Sequence, residues 1–161
     1  MIEPVQTVKL DFQVDPETNL NPRYTMSSFV IGSSNELAFA AAEAIVKSVG
    51  SKYNPFFIYG GVGVGKTHLI QAIGNEVYER YGKKIRPRYV SSEKFTSDVV
   101  WAIRNKRMED IKKKYRDVDL LIIDDIQFIG GKEKTEQEFF HTFNALYEAN
   151  KQIIISSDRP P

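Results

Sequence analysis

The 161-residue sequence contains no cysteine, which excludes a disulfide framework, a thiolate nucleophile and a thiolate metal site. Its two histidines, His68 and His141, are far apart and lack the spacing of a metal site. No apolar run approaches the roughly 18 residues of a membrane span, and no secretory leader is visible. A reducing cytoplasmic setting is the default expectation. Charge of one sign is also lacking: 22 Lys and Arg face 21 Asp and Glu, for a net charge of +1. With no global field to draw nucleic acid, any such contact must come from a local patch. Internal repeats and low-complexity tracts are absent too. What remains is ordinary globular composition, 42% hydrophobic and 27% charged, in a length that suits one α/β domain with a real core.

The most informative stretch is Gly60-Gly61-Val62-Gly63-Val64-Gly65-Lys66-Thr67. It fits the phosphate-loop pattern G-x-x-x-x-G-K-[ST] at every fixed position. Phe56-Phe57-Ile58-Tyr59 before it reads as a buried strand, and Leu69, Ile70, Ile73 and Val77 after it recur at helical spacing. Glycines let the loop turn without Cβ clashes, so that successive N–H groups point inward at a phosphate. The helix opening at about Lys66 adds unpaired N–H groups and the positive end of its dipole. Lys66 would then reach the β/γ-phosphates and the Thr67 hydroxyl would ligate Mg²⁺. A plain Gly-rich strand–helix turn would not need Lys-Thr in that place.

The rest of the chain alternates strands with helices. Residues 1–20 read as a leader or linker. Ser33-x-x-Glu36 has capping-box spacing, ahead of an apolar stripe of Leu37, Ala41, Ala44, Ile45 and Val49 that Gly50 ends. The phosphate-loop helix is expected to stop near Arg80, at Tyr81-Gly82. Ile85 to Val90 is a second strand, with Pro87 marking an edge or a strand start. Ser91-Ser92-Glu93 caps a helix carrying Phe95, Val99, Trp101, Ala102 and Ile103. Arg104 to Arg107 break it, and Met108, Ile111 and Tyr115 mark a further helical face. Val118 to Ile123 is a continuous apolar run ending in Asp124-Asp125, the pattern of a parallel strand buried on both faces. A helix over about 135–150 turns Phe139, Phe140, Phe143, Leu146 and Tyr147 to the core. Lys151 to Ile155 form a last strand, running into Ser156-Ser157-Asp158. The alternation implies a parallel sheet flanked by helices.

An apolar strand ending in acid, downstream of a phosphate loop, is the expected magnesium partner. Asp124 is assigned to Mg²⁺, mainly through water, with Thr67 as direct ligand. Asp125 would orient or deprotonate the attacking water; the alternative is a loop-start cap. Ser157 and Asp158 end the last strand on the same edge, either to sense the γ-phosphate or to make a turn before Pro160. A GTPase usually carries an N-K-x-D base-reading motif, absent here, and two adjacent acids favour ATPases with an extra catalytic acid.

At these residues the sequence resembles the DnaA family of bacterial chromosomal replication initiators, within the AAA+ ATPase superfamily. The resemblance covers about residues 20–161. It rests on Asn21-Pro22-Arg23-Tyr24-Thr25, Phe29-Val30-Ile31-Gly32 with Asn35, Tyr53-Asn54-Pro55, the phosphate loop, Leu121 to Ile129, Lys132-Glu133-Lys134-Thr135, Glu138 to Asn144, and Ser156 to Pro160. It implies a P-loop NTPase with a Rossmann-like AAA+ core in residues 21–161, and an initiator helix pair inserted over about 93–116. It implies ATP or ADP with Mg²⁺, slow hydrolysis used as a switch, and a helical oligomer at the replication origin in a bacterial cytoplasm, associated with the nucleoid. Regulators of initiation would be further partners.

By the same resemblance, Val30, Ile31 and Asn35 would lie against adenine, with Asn35 alternatively serving the helix cap. Gly61, Val62, Gly63, Val64, Gly65, Lys66, Thr67 and His68 would hold the phosphates, and Lys66, Asp125 and Asp158 would act in catalysis. Single-stranded DNA would meet Val100, Lys132, Lys134 and Thr135; a solvated loop is the other reading of the two lysines. Trp101 looks available for base stacking, but a lone aromatic on an amphipathic helix reads first as core. The family's lid, arginine finger, second sensor and duplex-DNA-binding domain have no counterpart in these residues, nor does the strand expected beside the phosphate-loop strand. The chain is therefore expected to be a piece of a longer protein, with weak nucleotide binding and very little turnover by itself. Two other functions fit the same residues: a helicase-loader relative, and a module that binds single-stranded DNA or a regulator without regard to nucleotide.

Overall fold

A computed structural model describes residues 14–33, 35–60 and 65–159. The helices are α1 Glu36–Lys47, α2 Lys66–Arg80, α3 Ser92–Asn105, α4 Met108–Arg116 and α5 Glu133–Glu148; the strands are β1 Phe56–Tyr59, β2 Pro87–Ser91, β3 Leu120–Asp124 and β4 Gln152–Ser157. All strand pairs are parallel, and the order across the sheet is β1-β4-β3-β2. Residues 1–13, Ser34, the loop residues 61–64, and Pro160 and Pro161 lie outside the described set.

The apolar run of β3 explains the layering. Successive side chains of a strand point to opposite faces. Leu120 and Ile122 join a core with Ile70, Ile73, Val77 and Ile45 of α2 and α1, while Leu121 and Ile123 join a core with Phe95, Val99, Tyr115 and Leu146 of α3, α4 and α5. All five β3 residues are buried. Gly74 lets α2 lie close to the sheet, since a Cβ there would meet Ile122 and Leu20 at 3.0 Å.

β2 starts at Pro87 and is the outer strand of the sheet, so both consequences expected of that proline hold together. Its outer edge is covered by chain that the sequence reading placed in the leader. Tyr89 N–H donates to the Thr18 carbonyl at 2.8 Å, and the Asn19 side chain donates to the Tyr89 carbonyl at 2.9 Å. Thr18 and Leu20 are buried. The packed core therefore starts before residue 21, because the polar edge of β2 needs partners. Residues 18–31 form a strap that continues across α2, where Asn75 donates to the carbonyls of Asn21 and Tyr24 at 2.9 and 2.7 Å.

Other expectations shift in detail. α1 begins at Glu36 with Asn35 before it and no side-chain cap, so Ser33 does not form the expected capping box. The helix buries Ala42, Ile45 and Val46, whereas Leu37 is 84% exposed. α5 begins at Glu133 and buries Thr135, Glu138, Phe139, Thr142 and Leu146. Phe140 and Tyr147 are half-exposed instead of core, because the buried stripe is rotated by one position. Ser91 caps α3 by accepting from Lys94 N–H at 3.1 Å. Lys106, in the left-handed conformation, ends that helix and turns the chain into α4, giving the expected helix pair. A buried ion pair, Arg116 Nη2 to Glu138 Oε2 at 2.9 Å, ties α4 to α5.

Candidate nucleotide site

The C-terminal ends of β1, β3 and β4 converge on one edge of the sheet. Tyr59 is in register with Ser157, and Gly60 N–H donates to the Ser157 carbonyl at 3.3 Å. This is the side on which open parallel sheets bind ligands. Gly61, Val62, Gly63 and Val64, the middle of the phosphate loop, lie outside the described residues; the loop's two flanks do not. Gly65 takes a left-handed φ of 76° at the start of α2, a conformation that suits glycine. The first i→i−4 bond of α2 runs from Leu69 N–H to Gly65. The N–H groups of Lys66, Thr67 and His68 have no acceptor within the helix, the arrangement of a helix start that suits an anion.

Lys66 Nζ donates to the Gly60 carbonyl, on the other flank of the loop. Thr67 Oγ1 donates to Asp124 Oδ2 at 2.8 Å. That bond joins the two halves of the site, 57 residues apart in sequence. Asp124 is 2% exposed, and a buried carboxylate needs donors. It has three: Thr67 and, at 2.7 Å, the Tyr89 hydroxyl on Oδ2, and Ser156 Oγ on Oδ1. Among the described residues no cluster of three or more His, Cys, Asp or Glu side chains could hold a metal ion. A divalent cation at Thr67 and Asp124 would complete its oxygen shell from phosphate and water, as Mg²⁺ characteristically does. The oxygen-only pair fits that ion.

Asp125 follows in a left-handed conformation, φ 58°, with its N–H on Ser156 Oγ at 2.8 Å and its carbonyl accepting from Ser92 Oγ at 2.6 Å. The backbone is held and the side chain is partly exposed. Burial, then the neighbouring Asp124 carboxylate, raise its carboxyl above the ordinary range, against the Gln127 side chain and the Lys66 charge. Asp158 is exposed and pairs with Arg159 Nε at 3.0 Å, while its N–H donates to Gln127 Oε1 at 3.2 Å. It stands on the same edge but turns its carboxylate toward Arg159.

On the base side, Val30 and Ile31 are 83% and 53% exposed. Asn35 shapes their loop, accepting from Gly32 N–H at 2.8 Å and donating to the Val30 carbonyl at 3.1 Å. Its side chain serves the loop and not the helix end. The His68 imidazole points away from the phosphate loop. It meets the Thr25 carbonyl at 3.0 Å and Ser28 Oγ at 3.2 Å, and packs between Tyr24 and Phe29. Phe29 in turn lies 3.0 Å from where a Cβ on Gly65 would be, so the strap and the phosphate loop share a wall.

The DNA candidates divide. Val100 is 38% exposed and Lys134 is exposed. Lys132 is exposed with its amine donating to the Phe128 carbonyl at 2.7 Å. Thr135 is 2% exposed, so its side chain is covered. Trp101, read as core, is 51% exposed beside Val100, and Phe128 is 50% exposed. Sequence reasoning missed Tyr89, Ser156 and Gln127. A tyrosine in an edge strand and a serine in a run of serines carry no signal until register brings them to Asp124.

A parallel sheet with a phosphate loop after one strand and a hydroxyl-linked acid ending another defines a phosphate-loop NTPase core of the AAA+ Rossmann-like type. A solved structure of the DnaC helicase loader has the same fold, at 18% identity and a TM-score of 0.71 over 86% of this chain and 78% of the other. Residues 20–161 match the family described as the bacterial DnaA ATPase domain, and the chain belongs to that family. It is 58% identical over 146 residues to the chromosomal replication initiator protein DnaA of Thermus thermophilus, covering 91% of this chain and 33% of that one. A structure of replication initiator DnaA bound to AMPPCP and single-stranded DNA superposes with a TM-score of 0.83 at 46% identity, over 87% of this chain and 43% of the other. The chain thus spans about a third of the curated relative's length. Among the described residues, no helix is long and apolar enough to cross a membrane.

Proposed function

We propose that this domain is the nucleotide-binding core of a bacterial replication initiator, which binds ATP or ADP with Mg²⁺, hydrolyses ATP slowly as a switch, and engages single-stranded DNA at the origin. The observation that carries the reading is the 2.8 Å bond from Thr67 to Asp124, which joins a magnesium-type pair at the first turn of α2. Mg²⁺ would neutralise charge on the phosphate oxygens. The chain's own residues supply the rest. The α2 N-terminus and Lys66 bind phosphate, with Lys66 exchanging its Gly60 carbonyl for a β/γ-oxygen. Asp125 orients the attacking water and accepts its proton as oxygen bonds to the γ-phosphorus and the bond to the leaving diphosphate breaks. Asp158 stands at the same edge to sense the γ-phosphate.

Hydrolysis is expected to be slow because the arginine that would stabilise the transition state in trans is supplied by a neighbouring subunit of a helical assembly. Regulators of initiation would act on that assembly. Single-stranded DNA would lie along Val100, Lys132 and Lys134, with Trp101 and Phe128 available for stacking. The low identity to helicase loaders supports a shared fold and no more.

The test is titration of labelled single-stranded DNA with ATP, ADP or no nucleotide at two salt concentrations. Binding that requires ATP and weakens with salt supports the switch. Binding that ignores nucleotide and survives Lys66→Ala would leave a nucleotide-independent DNA module in its place.

A further inference from the structure

The Tyr89 hydroxyl has two polar neighbours. It donates to Asp124 Oδ2 at 2.7 Å, and the side chain of Gln71 on α2 is the other. Gln71 is 5% exposed, and its Oε1 accepts from Asn21 N–H at 2.8 Å. The backbone of Tyr89 is clamped by the same strap through Thr18 and Asn19. Polar groups of the strap, of α2 and of β2 are thus gathered beside the carboxylate that accepts from Thr67.

We infer that Tyr89 is a positioning residue for Asp124, and that the strap, which holds the Tyr89 backbone directly and the Gln71 side chain beside it, couples the base-side wall to the magnesium-side acid. The inference rests on the nucleotide reading above. Asp124 Oδ2 takes two hydroxyl donors, and the Thr67 hydroxyl has to turn from that oxygen to serve as a ligand. Tyr89 then remains as the donor on Oδ2, opposite Ser156 on Oδ1, and the two together fix the carboxylate's rotation. The strap that positions Gln71 also carries Tyr24, Thr25 and Ser28 against His68 and leads into Val30 and Ile31. Displacing it would be felt at the acid through two side chains.

The experiment uses the whole chain and a fluorescent N-methylanthraniloyl-ADP, titrated without divalent cation and then with magnesium chloride. Tyr89→Phe keeps the ring and removes only the hydroxyl. Donors behind a metal-facing carboxylate typically govern ten- to a hundredfold of metal affinity, and a carboxylate acting through water sits at the low end. We expect Tyr89→Phe to raise the Mg²⁺ midpoint about tenfold while magnesium-free nucleotide affinity stays within about twofold. Gln71→Met should shift the midpoint in the same direction, and the double variant should be no worse than the stronger single one. An unchanged Mg²⁺ midpoint in both single variants would overturn the inference. So would equal weakening with and without Mg²⁺, the mark of a merely structural role. A wild-type chain that binds the nucleotide with no response to Mg²⁺ would instead overturn the nucleotide-site reading on which the inference stands.

Discussion

The ion pair between α4 and α5 gives a quantitative test of how the inserted helix pair is held. Glu138 is 5% exposed and accepts from Arg116 Nη2 at 2.9 Å and from Thr142 Oγ1 at 3.1 Å. Arg116 Nε is buried with no partner, so the guanidinium depends on this one acid. Glu138→Met keeps volume and removes the charge, leaving a cation whose side chain is only 26% exposed. Breaking a buried pair from one side costs about 3–5 kcal/mol, and that exposure argues for the lower end, about 3 kcal/mol. With a urea m-value of about 2 kcal/mol/M, the unfolding midpoint should fall by about 1.5 M. Arg116→Met together with Glu138→Met removes both charges, and stability should return to within about 1 kcal/mol of the wild type. A single variant costing less than about 1 kcal/mol, or a double variant less stable than Glu138→Met, would refute the view that the pair locks the helices through mutual need.

Three further outcomes test other parts of the fold. Burial raises the Asp98 carboxyl, but hydrogen bonds from Tyr115, Lys114 and Lys94 outweigh it and hold the group below its ordinary value of 3.8. Its stabilising contribution is therefore present above that value and lost as pH falls through the lower folded one; the thermal midpoint should drop below about pH 4, and drop less in Asp98→Asn. Gly50 has φ +85° and a Cβ there would land on the Asn150 carbonyl, so Gly50→Ala should cost about 2 kcal/mol or more in denaturant unfolding, and a neutral result would contradict the backbone geometry. Lys134→Ala should weaken single-stranded DNA binding and lower the slope of log affinity against log salt by about 0.7; an unchanged slope would remove Lys134 from the DNA surface.

Much of this domain was legible in one dimension because the relevant physics is local. The phosphate-loop spacing, the all-apolar run of β3 with its terminal acid, the Pro87 strand start and the Ser91 cap each report a constraint acting within a few residues. Faces were harder. Helical periodicity says which side chains share a stripe but not which stripe another layer covers. Leu37, Trp101, Phe140 and Tyr147 therefore belong to apolar patterns yet stand in solvent, while Thr135 is covered. The alignment of strands decided the rest. Thr67, Tyr89 and Ser156 come from α2, β2 and β4, and they meet at Asp124 only because parallel pairing in the order β1-β4-β3-β2 brings those elements together. Sequence by itself determined that the chain carries a phosphate loop and an acid to complement it. The donors that hold that acid, and the strap they connect to, were decided by tertiary structure, because a buried carboxylate draws its hydrogen bonds from whatever elements the sheet places beside it.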